Sequence, residues 1–313
     1  MAAPTPTARD VLVELQPVVE RALARHLATA KEWFPHEYVP YEQGRNFRAE
    51  PWEPSHSRLD EVARTALELN LLTEDNLPYY HLAIWTMFGG EGPWGEWARR
   101  WTAEEGRHSI ALRDYLVTSR SVDPVALERA RMEHVARGYY PRRLRGPLDG
   151  LVYVTLQELA TRIAHRNTGA VTGDPIAEAL LTRVSVDENL HYVFYRDVAL
   201  AALEIDASAM VLAIKRQVLG FAMPGLELPG FREKAIRIAA AGIYDLRTHH
   251  DHVLVPVLSK HWALTELRNL SGPAEEARDE VLAFMRSLDA NARQLDAASR
   301  PPRRAVDEPR PAV

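Results

Sequence analysis

Along most of this chain apolar residues return every three or four positions, the period of a helix with one buried stripe. Stretches that alternate every second residue, as a half-buried strand would, are scarce. A first helix is expected from Arg9 to Glu32. The stretch from Trp33 to His56 then carries Pro35, Pro40, Pro51 and Pro54 and reads as irregular. Ser57 is placed to cap a second, long helix, with Asp60 and Glu61 in its first turn and Gly89-Gly90 as its end. A third is expected from Trp94 to Ser119, and Asp123-Pro124 opens a fourth. Tyr140 to Gly150 reads as a basic loop, followed by a fifth helix from Leu151 to Asn167. Asp174-Pro175 opens a sixth that runs through His191 to Leu203. Beyond Ile205 the pattern predicts shorter helices, broken at Met223-Pro224 and Leu228-Pro229-Gly230. The tail from Ser299 is rich in Pro and Arg and is expected to be disordered. The expected organisation is one all-α domain over residues 1–298 and a tail over 299–313.

Composition narrows the function classes. A chain of 313 residues, 46% hydrophobic, can bury one large core. A net charge of -5 opposes nucleic-acid binding driven by phosphate contacts. No apolar run reaches the length of a membrane span. Met1-Ala-Ala-Pro-Thr-Pro lacks the basic start and apolar stretch of a secretion signal. Cysteine is absent, which rules out disulfides, thiolate ligands and a cysteine nucleophile. The cytoplasm is the expected compartment.

Two segments share one spacing. Glu105-Gly-Arg-His108 and Asp187-Glu188-Asn-Leu-His191 each put a carboxylate three residues before an imidazole. On a helix the two side chains lie on one face, one turn apart. The spacing alone is weak: Glu53-Pro-Ser-His56 repeats it among prolines, where no helix is expected. Both helical copies, however, can be placed beside an apolar stripe. Glu158 lies in the most apolar helical stretch, Leu151 to Ile163, where an unpaired charge is costly. It fits either a buried ion pair with an arginine or a metal ligand. Glu74 precedes Pro78, which cannot bond the Glu74 carbonyl, so a kink or bulge is expected there. The alternative is that Thr73-Glu-Asp only caps a new helix. Together Glu74, Glu105, His108, Glu158, Glu188 and His191 give four carboxylates and two imidazoles on four helices. That is the donor inventory of a carboxylate-bridged two-metal bundle, and it suits iron or manganese better than zinc or copper(I).

The residues now resemble the soluble acyl-[acyl-carrier-protein] (acyl-ACP) desaturases, closest to the actinobacterial branch. Trp101-Thr-Ala-Glu-Glu105-Gly-Arg-His108 carries the likeness, as do Leu72-Thr-Glu74-Asp-Asn-Leu-Pro78, Gln157-Glu158-Leu-Ala-Thr161 with His165-Arg-Asn-Thr-Gly169, and Asp187-Glu188-Asn-Leu-His191. It extends from about Trp33 to Leu264. Gly106 and Ser109 depart from the family's usual Asn and Gly, at positions that are not ligands. The resemblance implies a ferritin-like four-helix di-iron bundle elaborated with additional helices. It implies a desaturase that uses O2 and two electrons, delivered by a ferredoxin-like donor, on a fatty acyl chain borne by acyl-carrier protein. It implies a homodimer. By resemblance Glu74, Glu105 and His108 bind one iron (Fe2+/Fe3+), and Glu158, Glu188 and His191 the other, with Glu105 and Glu188 bridging. Thr161 would line the oxygen pocket, Trp33 would lie on the electron path, and Asp187 would support His108. The rival readings are another di-iron oxidase, a hydroxylase or N-oxygenase, and a ferritin-type iron-binding protein.

Three further features each have a plainer alternative. Arg142, Arg143 and Arg145 could steer an acidic carrier protein or be an ordinary basic loop, and Lys215-Arg216 is a weaker candidate. His249-His250-Asp251-His252 invites a metal reading but fits a solvated helix start better.

Overall fold

The computed structural model describes residues 8–139 and 144–299. Helix α1 spans Ala8–Thr29. After the proline-rich stretch, α2 spans Glu61–Glu74. Its cap is Asp60, not the expected Ser57: the Asp60 carboxylate accepts from the Ala63 N–H at 2.7 Å, whereas the Ser57 hydroxyl bonds the Leu59 carbonyl. The expected single helix to Gly89 is two, because α3 starts anew at Leu77 and runs to Phe88. Pro78 removes one helix bond there. The Asn76 side chain also turns away to the Tyr139 backbone, donating at 2.9 Å and accepting at 3.1 Å.

Helix α4 spans Gly92–Thr118 and α5 Pro124–Arg137, the latter capped by Asp123 as the sequence predicts. Helix α6 spans Pro147–Thr172, so the last residues of the expected basic loop are already helical. Asp149 in its first turn is buried, held by Arg216 and Gln217. Helix α7 spans Pro175–Ile205, capped by Asp174. Helices α8 (Ala207–Leu219) and α9 (Phe231–Ala240) follow. Helix α10, Leu246–His249, continues as a π-helical run over His250–His261. Helix α11, Gly272–Ser299, ends the described chain; the expected tail beyond Ser299 lies outside the described residues.

Helices α2, α4, α7 and α6 form a closed ring in that order, each packing on the next. Short turns make α6 and α7 antiparallel neighbours. Helix α1 covers α4 and α7, and α8 and α11 back the other side. Among the described residues there is no strand.

Among the described residues three apolar clusters form, and two of them fill the inside of this bundle. One holds Trp97, Trp101, Leu156, Phe194 and Tyr195, with Trp97 and Phe194 stacked at 3.6 Å between centroids. The other holds Leu67, Leu71, Leu112, Tyr115, Leu180 and Val184. Each fully buried Leu or Val adds about 1.5–3 kcal/mol. Along α4 the order is first core, residues 105 to 108, second core; along α7 it is the reverse. A polar layer therefore lies between two hydrophobic halves.

Candidate metal centre

That layer is built from four helices. Glu74 is the last residue of α2, Glu105 and His108 lie mid-α4, Glu158 mid-α6, and Glu188 and His191 mid-α7. All six are buried. Their donor atoms fall into two groups, each within 4.8 Å: Glu74, Glu105, His108 and Glu188, and Glu105, Glu158, Glu188 and His191. Glu105 and Glu188 belong to both. His108 Nδ1 is 3.4 Å from both Glu105 and Glu188, and His191 Nδ1 is 2.8 Å from Glu105 and 3.6 Å from Glu158.

The chemistry of this donor set fits a cation. His108 Nδ1, His191 Nδ1, Glu105 Oε1 and Glu158 Oε2 are buried and make no aligned hydrogen bond. Orphaned buried donors and acceptors are costly, and here they face one another. Burial, then the neighbouring Glu105 and Glu188 charges, push the Glu74 carboxyl well up. Burial and the Glu188 charge do the same to Glu158. Burial also works against Glu105, but the close His108 and His191 imidazoles outweigh it and hold that carboxyl low. Carboxylates crowded this way need positive charge beside them.

The outer nitrogens of both histidines are occupied. His108 Nε2–H donates to Asp187 Oδ2 at 3.3 Å, and that oxygen also accepts from Trp33 Nε1 and from Arg107, each at 2.7 Å. Arg183 bonds the other Asp187 oxygen. The Arg107 guanidinium also lies over the Trp33 ring at 4.5 Å. His191 Nε2–H donates to Glu104 at 2.9 Å. The Thr161 hydroxyl donates to Glu188 at 3.0 Å, and Trp101 Nε1 donates to Glu158 at 3.0 Å.

The sequence reading gave no role to Glu104 or to His165, although His165 lies in one of the segments that carry the resemblance. His165 Nε2 meets Glu74 at 2.9 Å, and burial depresses this imidazole to about 4. The signal for Glu104 was present: Glu104-Glu105 matches Asp187-Glu188, an acid directly before each acid of the Glu/His pairs. Gly106 needs no special space, since an added Cβ would make ordinary contact with Leu77 at 3.6 Å.

The other candidates separate. Arg142 and Arg143 lie outside the described residues, while Arg145 is exposed. Arg216 turns inward to Asp149 and Lys215 pairs with Glu280, which weakens both as docking groups. Of the 249–252 histidine run, His249 bonds the Tyr244 hydroxyl at 2.8 Å. His250 and Asp251 approach Asp289, but Arg247 already pairs with both acids. Glu53 and His56 sit in a short 3-10 turn away from the cluster.

Three cavities run past the cluster end to end. The first, about 110 Å3, is lined mainly by apolar groups of α2, α6 and α9, among them Ala66, Leu69, Phe231 and Ile238. It shares Thr73, Thr161 and Pro224 with a small cavity of about 10 Å3 that touches Glu74 and Glu105. That one shares Tyr80, Trp101 and Gln157 with a third, of about 20 Å3, which reaches Ala83, Ile84 and Met87. Among the described residues no helix is long and apolar enough to cross a membrane.

Two shared carboxylates, two flanking carboxylates and two imidazoles inside one helical bundle define the class: a ferritin-like bundle with a carboxylate-rich site able to hold metal. The fatty acid desaturase family model matches residues 7–307, and the chain belongs to that family. It is 45% identical over 309 residues to a Mycobacterium tuberculosis protein named as an acyl-[acyl-carrier-protein] desaturase, DesA1, covering 93% of this chain and 91% of that one. It is 27% identical over 311 residues to the chloroplastic stearoyl-[acyl-carrier-protein] 9-desaturase of Spinacia oleracea, covering 91% and 77%. The X-ray structure of DesA2 from Mycobacterium tuberculosis H37Rv matches with a TM-score of 0.68 at 31% identity, covering 86% of this chain and 98% of that one.

Proposed function

We propose that this protein is an acyl-ACP desaturase that introduces a double bond into a carrier-bound fatty acyl chain at a di-iron centre. The observation that carries the reading is a run of three cavities, apolar at both ends, whose middle one touches Glu74 and Glu105. An extended hydrocarbon in that run would present one stretch of methylenes to the donors. Two hydrogens from adjacent methylenes, two electrons and two protons would reduce O2 to two waters.

Oxygen donors with one imidazole per metal favour iron. Glu105 and Glu188 would bridge, with Glu74 and His108 on one iron and Glu158 and His191 on the other. When bound, the irons supply the O2 chemistry. The protein's own residues do the rest. Asp187 fixes His108 with Nδ1 bare toward the cluster, and Thr161, which lines the first cavity, donates its hydroxyl to Glu188. Buried Trp33 joins the pair through Asp187, a route suited to electrons from a ferredoxin-like donor. A single domain over 1–298, a homodimer and a cytoplasmic location complete the proposal. Sedimentation of the purified chain and cell fractionation check the last two.

The decisive experiment is mass spectrometry of acyl-ACP after incubation with protein, ferredoxin, reductant and oxygen. Loss of two hydrogens supports the proposal. An added oxygen would make the protein a hydroxylase, and unchanged acyl-ACP with a fully iron-loaded protein would end the desaturase reading.

A further inference from the structure

Asp187 has a counterpart across the cluster. It directly precedes Glu188 on α7, yet it binds the histidine of α4. Glu104 directly precedes Glu105 on α4, yet it binds the histidine of α7. Each long helix thus carries the carboxylate that holds the other helix's imidazole. Glu104 is 3% exposed, and both its oxygens are taken. Oε2 accepts from His191 at 2.9 Å and from His26 Nε2 at 3.0 Å, and Oε1 meets Arg100 at 2.5 Å. The His26 ring stacks on His191 at 5.9 Å and meets Trp97 edge-on at 5.0 Å. His26 belongs to α1, outside the four ligand-bearing helices.

We propose that Glu104 and His26 are positioning residues for the metal beside His191. Glu104 fixes the His191 tautomer with hydrogen on Nε2, leaving Nδ1 to face Glu105 and Glu158. His26 fixes Glu104 in turn, so the N-terminal helix is a working part of the site. A plain surface ion pair with Arg100 would need neither imidazole. His191 and His26 instead share Oε2, while Arg100 meets Oε1. The inference rests on His191 being a ligand. Partners of ligating histidines typically change metal affinity by about 10–100-fold when removed.

The test is anaerobic titration of wild type, Glu104→Ala, Glu104→Gln and His26→Ala with Co(II) and Fe(II). Metal per chain and the cobalt visible spectrum are read, with circular dichroism as the check on folding. Glu104→Ala is expected to weaken one of two metals by about 10–100-fold and spare the other. Glu104→Gln keeps an oxygen for the His191 N–H, so most of that affinity should return while the spectrum stays shifted. His26→Ala should move the spectrum in the same direction by less. Should Glu104→Ala fail to fold, the spectra of Glu104→Gln and His26→Ala decide. Two metals bound with wild-type affinity and spectrum in every folded variant would overturn the proposal. Wild type that binds no metal would overturn the di-iron reading itself, and this inference with it.

Discussion

Trp33 and His108 are joined through a single oxygen atom. Asp187 Oδ2 accepts from the Trp33 indole at 2.7 Å and from His108 at 3.3 Å, and the two rings lie nearly parallel, 6.3 Å apart. Asp187→Ala removes the acceptor of the His108 Nε2–H, so metal affinity on the His108 side should fall by about 10–100-fold. Trp33→Phe removes only one donor while Arg107 and Arg183 still hold Asp187, so both metals should remain. Its cost should be about 1 kcal/mol for the hydrogen bond plus the lost ring packing. Metal analysis and denaturant titration of the two variants check this; equal metal loss in both would refute it.

The overlap of the two donor groups predicts an inequality. Glu105 or Glu188 changed to Ala removes a residue common to both groups, so both metals should be lost and turnover abolished. Glu74→Ala touches one group and should weaken one metal first. Iron should load at about two per chain, as in the carboxylate-bridged precedents. Absence of iron, or a lone zinc, after anaerobic iron loading would remove the whole scheme.

The far end of the cavity run sets an expected selectivity. Gly150 lies so close to Met87 that an added Cβ would fall 2.8 Å from its sulfur. Met87→Ala should open this end. Each extra buried methylene is worth about 0.8 kcal/mol, so acyl chains two carbons longer should gain about tenfold in kcat/KM. Competition between acyl-ACPs of two lengths measures it, and an unchanged ratio would place the chain terminus elsewhere.

Charge on the basic loop should act on encounter. Changing Arg142, Arg143 and Arg145 to Glu should raise KM for acyl-ACP, most at low salt, because screening shortens to about 10 Å at 0.1 M. Metal content should not move, since a guanidinium is a cation with no lone pair to offer a metal. Equal KM values at low ionic strength would show that this loop does not steer the carrier.

Gly106 gives a stability test. It lies mid-helix with room for a methyl group against Leu77. Gly106→Ala should stabilise the fold by about 0.5–1 kcal/mol, read from the urea midpoint at constant slope. Destabilisation would mean that the neighbouring ligand helix needs this flexibility.

Much of this was written in local chemistry. Asp123-Pro124 and Asp174-Pro175 announce helix starts because an acid followed by proline satisfies the first turn without help from distant residues. The spacing of the Glu/His pairs is equally local, so their shared face could be read directly. Ser57 misled because two plausible caps lie three residues apart, and the choice depends on how the preceding turn packs. The interruption between α2 and α3 was only half visible: Pro78 signals it, but the Asn76–Tyr139 pairing joins segments far apart in the chain. Arg216 could not be seen turning to Asp149, because that contact exists only after α8 docks on α6. Glu104 was legible and overlooked, since the doublet of acids occurs twice.

Five of the six clustered donors sit inside unbroken helices, whereas Glu74 is the final residue of its own. The next residue, Asp75, is clamped by Arg131 of α5 at 2.9 Å and by Ser109 at 2.5 Å. The arrangement is a vice with five fixed jaws and one on an adjustable screw. Arg131→Ala should therefore loosen one donor and broaden the spectroscopic signature of bound cobalt without emptying the site. It also marks where lineages sharing this bundle can retune their chemistry: a change at the screw alters one grip on the metal and leaves the frame untouched.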